Sequence, residues 1–123
     1  MPALPDDALV VHGGQNLPES FAQGSGVTVD AGGKVQGVSV NAAPGRTVKE
    51  LTAPNPATGY PGIPHNQVGV TTAGQIRALG GVVDPSPTKK NANHATLSGL
   101  TPQQASSLFR PTVKNPSRTR GMD

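Results

Sequence analysis

The sequence has no cysteine, no tryptophan and only three aromatic residues, Phe21, Tyr60 and Phe109. Without thiols, neither a disulfide framework nor a thiolate zinc site can hold the chain together. Three aromatics are too few for the stacking platforms of single-stranded nucleic-acid binders. Carboxylates are scarce as well: Asp and Glu number 7, and Glu50 is the only glutamate after Glu19. A mechanism built on paired carboxylates has almost nothing to draw on. No apolar run reaches membrane-spanning length, and "MPALPDDALVVHGG" lacks a basic stretch followed by a long apolar one. The expectation is a chain with neither a transmembrane helix nor a signal peptide. HExxH, P-loop, GxSxG and Rossmann patterns are all missing, so no metal is expected.

What is present sits near the edge of foldability. Val, Leu, Ile and Phe together make 25 of 123 residues, close to the fraction below which chains stay disordered. The 16 glycines and 13 prolines point the same way. Against disorder stand a charged fraction of only 14% and clear period-two patterns. The expectation is one loop-rich domain over residues 1–116, thinly cored, with a flexible basic tail over 117–123. The net charge is +3, with acids early and Lys89, Lys90, Arg110, Lys114, Arg118 and Arg120 late. A basic C-terminal half suits RNA or another phosphate-rich target.

The elements read as α+β. "ALVVHGG" predicts a buried strand ending at His12, and "GVTVDAGGKVQGVSVN" a hairpin with a bulge at Gly37. "LPESFAQG" predicts a short helix with Pro18 in its first turn, and "GRTVKELT" another with Thr47 and Glu50 as a capping box. "APNPATGYPGIPHN" is nearly all turn residues. "QVGVTTAGQIRALGG" reads as a strand and then a Thr-capped helix, "GVVD" as a short strand, and "HATLSG" as a strand. "LTPQQASSLF" predicts a helix capped by Thr101, with Pro102 first and Gln104 closing a second capping box. The fold expected is a split or curved sheet of short strands with three or four short helices.

Imidazole and hydroxyl groups carry the candidate chemistry. His12 ends a strand and is followed by Gly13 and Gly14, which leave the backbone open to a ligand. His94, Thr96 and Ser98 share one face of their strand, which is either a polar outer face or the wall of a cleft. Ser39 and Asn41 lie together opposite the valines of theirs; on a strand adjacent to His12 they would flank one pocket. His65 lies in the Pro/Gly loop, and Glu50 is explained by its capping box.

"DDALVVHGG", "GSGVTVDAGGKVQGVSVN", "GIPHNQVGVTTAGQIRALGGVV" and "NHATLSGLTPQQASSLFRPTVKNP" resemble the C-terminal toxin domains of bacterial Rhs-type polymorphic toxins, from Asp6 to Pro116. Within that group the chain is most similar to ADP-ribosyltransferases. The resemblance implies a first strand whose His12, with Gly13 and Gly14, holds NAD as co-substrate, and a second strand placing Ser39 and Asn41 near the nicotinamide. It also implies a catalytic glutamate on a late strand; "HATLSG" has none, leaving Glu50, Asp84, or His94 with its hydroxyls for that role. Further implications are a structured RNA or translation component as target and delivery by a shell through a contact-dependent apparatus such as type VI secretion. Action would be in the cytoplasm of a recipient bacterium, checked by an acidic immunity protein. The alternative is a metal-independent ribonuclease toxin of the barnase or colicin kind. It would use His94 with His12 or His65, and Thr96, Arg77, Lys89 or Lys90 would hold the substrate. A plain binding module is the third reading.

Overall fold

Alternating valines set the frame. In the computed structural model, which describes residues 3–118, the strands and helices follow one another as β1 (Leu9–Gly13), α1 (Pro18–Ala22), β2 (Thr28–Val29), β3 (Val35–Gln36), β4 (Val38–Ala43), α2 (Val48–Thr52), β5 (Gln67–Thr72), α3 (Ala73–Ala78), β6 (Val82–Pro85), β7 (His94–Ser98), α4 (Pro102–Phe109) and β8 (Val113–Lys114). Six strands form one sheet in the order β6-β7-β4-β1-β5-β8, with every neighbouring pair antiparallel. β2 and β3 form a separate two-stranded hairpin. Four short helices complete an α+β domain.

Period two sends alternate side chains to opposite faces. On one face Val10, Val38, Val40, Ala42, Val83, Ala95 and Leu97 meet Phe21, Ile76, Ala105 and Phe109 of α1, α3 and α4. These residues are the main core, and the two phenylalanines are its largest members. On the other face Leu9, Val11, Val68 and Val70 pack with Val48 and Leu51 of α2 and with Ile63. The second cluster is small, so part of that face stays open.

The helix starts follow the expected chemistry. Thr47 accepts from the Glu50 N–H while Glu50 accepts from the Thr47 N–H, and Thr101 and Gln104 repeat the arrangement at α4. Such reciprocal caps satisfy amides that the first turn leaves unpaired. Gly37 lies between β3 and β4 with φ 86, a conformation that suits glycine, and its N–H donates to Ser98 Oγ.

The C-terminal segment departs from the expected free tail. Asn115 is buried, donating to the carbonyls of Ile63 and His65, and its own N–H donates to Asn66 O. Ser117 Oγ lies 2.6 Å from Thr52 Oγ1, and Arg118 donates to Pro64 O. The chain through Arg118 is therefore fastened over residues 61–66; residues 119–123 lie outside the described ones.

Candidate active site

The sheet parts in its middle. The β1–β4 ladder runs Leu9↔Ala43, Val10↔Ala42 and Val11↔Asn41, and stops. β1 runs on beside β5 through His12↔Gly69 and Gly13↔Val68, while β4 stays on β7 from Val38 to Asn41. A cleft of about 760 Å³ opens at this seam, with His12, Ser39, Asn41, Tyr60, His65 and His94 in its walls. Its size falls in the range of roughly 300–1,000 Å³ typical of small-ligand sites. Both His12 and Ser39 line it, His12 from the core face that it shares with Val10 and Ser39 from the other face, which Asn41 shares with Val11.

His12 sits on the β1 side. Asn16 Nδ2 donates to the carbonyls of His12 and Gly14, at 3.0 and 2.8 Å, which turns its Oδ1 toward the imidazole. His12 Nδ1 lies 2.7 Å from that oxygen and must carry the proton, so Nε2 keeps the lone pair. The ring stacks on Phe21 with centroids 4.6 Å apart and lies 5.9 Å from Phe109. Burial pushes the His12 pKa below its usual 6.5; Asn16 opposes this and the charge of His65 adds to it. Asn16 itself is fully buried at φ 57, the left-handed region that asparagine tolerates, and its carbonyl accepts from Ser106 Oγ. Asn16 had no signal in the sequence beyond lying four residues after His12.

The glycines after His12 serve a different purpose from the one expected. A Cβ on Gly13 would lie 2.4 Å from His65 Cδ2 and 2.7 Å from Ile63 Cγ2. Its missing side chain therefore makes room for the loop that bears His65, rather than for a ligand. Gly14 has φ 96 and turns the chain away from the strand. The backbone of Gly13 is another matter. Gly14 N–H donates to Gln67 O, so the even residues of β1 bond to β5. By the alternation of an antiparallel ladder, Gly13 turns its N–H and C=O toward β4, past the point where that ladder ends.

The opposite wall carries a second imidazole. His94 Nδ1 lies 2.9 Å from both Ser86 O and Ser86 Oγ. A carbonyl only accepts, so Nδ1 bears the proton and Nε2 accepts from Ser39 Oγ–H at 3.1 Å. The pairing Asn41↔His94 and Ser39↔Thr96 places these side chains on one face of the sheet. Of the three polar residues on β7, only His94 lines the cleft. Thr96 Oγ1 bonds to Ser86 Oγ, and Ser98 Oγ accepts from Gly37. Thr96 thus belongs to the support behind His94 rather than to a substrate contact.

Asn41 is saturated. Its Oδ1 accepts from Asn91, and its Nδ2 donates to Leu51 O and to Tyr60 Oη at 2.8 Å each. It braces the loop of residues 53–66 instead of offering itself to a cofactor. Tyr60, held also by a bridge to Asn55, keeps its O–H proton available to the cleft. In the sequence Tyr60 counts only as one of three aromatics, and nothing there marks it as a site residue.

The remaining candidates lie elsewhere. Glu50 is exposed, bound in its capping box and 3.2 Å from Arg46; the Thr47 N–H first, then Arg46, hold its pKa below the usual value. With Lys90 it lines a neighbouring hollow of about 340 Å³ that shares Tyr60 and Asn91 with the cleft. Arg77 is tied to Asp6 at 2.8 Å. Lys89 and Asp84 are exposed and outside the cleft wall. Among the described residues, none lining the cleft is a carboxylate, lysine or arginine. Among the described residues no three His, Cys, Asp or Glu side chains are grouped to hold a metal ion, and no described helix is long and apolar enough to cross a membrane. No family model matches the chain, nor does any curated protein or solved structure.

Proposed function

We propose that this domain is an ADP-ribosyltransferase toxin domain that binds NAD in the seam between β1 and β4. The observation that carries this reading is the pair of groups at the end of β1. His12 Nε2 is held as a neutral acceptor, suited to a ribose hydroxyl. The adjacent Gly13 N–H and C=O, turned past the ladder's end, match the acceptor and donor of a carboxamide.

In the transfer, the bond from ribose C1′ to the nicotinamide nitrogen breaks and its electron pair leaves with nicotinamide. An acceptor hydroxyl oxygen bonds C1′, and its proton passes to the Ser39–His94 pair, the role that a late-strand glutamate plays in the family this chain resembles. Glu50 takes no part. The target is a structured RNA or a translation component in a recipient bacterium, reached by shell-borne, contact-dependent delivery; the basic chain attracts it, and an acidic immunity protein blocks the cleft. The test is thermal stabilisation by NAD together with nicotinamide release. A folded domain that NAD neither stabilises nor loses nicotinamide to would refute the reading.

A second reading, a metal-independent ribonuclease, is favoured by two imidazoles, His12 and His94, lining one cleft, since such enzymes use a pair of acid–base groups. Shortened RNA in the absence of NAD would decide for it.

A further inference from the structure

The β4 wall of the cleft presents an activated hydroxyl. Ser39 is exposed, lines the cleft and donates to His94 Nε2 at 3.1 Å. His94 is oriented in turn by the Ser86 carbonyl, 2.9 Å from Nδ1. Nucleophile, base and a third group fixing the base are the three parts that make a serine hydroxyl reactive. No other hydroxyl on the wall has them. Ser20 has no imidazole partner among the described residues, and Tyr60 faces the amide of Asn41 rather than a base.

The kind of electrophile follows from where Ser39 stands. It is the second residue of β4, within a strand and not on a strand-to-helix elbow whose free amides would hold an oxyanion. Acyl transfer needs such a hole. Glycosyl transfer passes through a cationic centre at the sugar carbon and has no use for one.

We infer that Ser39 is itself an ADP-ribose acceptor, so that the domain modifies its own cleft when no other acceptor fills it. The inference rests on the NAD reading above and adds the acceptor. The ribose C1′–nicotinamide bond breaks, nicotinamide leaves with the electron pair, Ser39 Oγ bonds C1′, and the Ser39 proton passes to His94 Nε2. The product fills the seam with a covalently held ADP-ribose and stops turnover.

The purified domain is incubated with NAD, nicotinamide release is followed, and the chain is mapped by tandem mass spectrometry. The expected result is one ADP-ribose per chain on Ser39, lost in Ser39→Ala and reduced roughly 10²-fold or more in His94→Gln. Release of nicotinamide with no adduct, or an adduct that persists in Ser39→Ala, overturns this inference and leaves the NAD reading standing. No release at all overturns both. A readout free of NAD checks the premise: ¹⁵N spectra of the unreacted domain show His94 protonated on Nδ1, and an Nε2-protonated ring sinks the proposal.

Discussion

His12 and Asn16 lock each other. The asparagine fixes the imidazole's tautomer at 2.7 Å, and its amide nitrogen bonds the carbonyls on either side of Gly13, at His12 and Gly14. One buried side chain therefore sets both the tautomer of His12 and the course of the backbone beside it.

Asn16→Ala removes three hydrogen bonds and places alanine at positive φ. The expected loss is roughly 2–4 kcal/mol, read from denaturant unfolding. An unchanged midpoint would show that the amide network contributes nothing.

The lowered His12 pKa makes stability depend on pH. Above the usual 6.5 both folded and unfolded chains leave His12 neutral, and its contribution is flat. Below that value the unfolded chain takes up a proton that the folded one refuses, so stability falls with pH until the folded imidazole also protonates. His12→Phe keeps the stack on Phe21 and removes this slope. Subtracting its pH–stability curve from that of the parent isolates the His12 share; a difference that stays constant below 6.5 would contradict the assignment.

Two glycines separate the site from the scaffold. At Gly69 a Cβ would meet Phe109 O at 2.5 Å and Phe109 Cβ at 2.6 Å, where the backbone of α4 cannot yield. Gly69→Ala is expected to cost about 1–3 kcal/mol or more. At Gly13 the obstacles are the side chains of His65 and Ile63, which can swing aside. Gly13→Ala should cost less stability than Gly69→Ala and weaken the thermal stabilisation by NAD. Calorimetry with and without NAD measures both, and the reverse ranking would refute the distinction.

Asn115 fastens the His65 loop through Ile63 O and His65 O, and its Oδ1 receives the Ser117 N–H. Asn115→Ala is expected to lower stability by about 1–3 kcal/mol. Faster amide exchange should appear over residues 61–68; exchange that is unchanged there would show that the segment holds itself.

The parts of this fold that local chemistry specifies were legible. Thr47, Glu50, Thr101 and Gln104 announced two helix starts, and valine alternation announced the strands. His12, Ser39 and His94 were readable as strand-borne polar groups, and a pocket flanked by His12 and Ser39 was expected on the condition that their strands were adjacent, as β1 and β4 are. What could not be read was side-chain bookkeeping across long sequence separations. Asn41 looked available but is used up by Leu51, Tyr60 and Asn91, the last of these 50 residues away. Arg77 looked like a phosphate ligand but answers Asp6, 71 residues away. Asn16 escaped notice because its role depends on a left-handed turn that no short pattern announces.

The seam lies between the two middle strands, not along an edge. Three residue pairs, Leu9 to Val11 against Ala43 to Asn41, join the trio β6-β7-β4 to the trio β1-β5-β8 along the sheet. The imidazoles of His12 and His94 belong to different trios. A molecule gripping both sides would therefore add a tie between the two trios beyond these three pairs and the core beneath them.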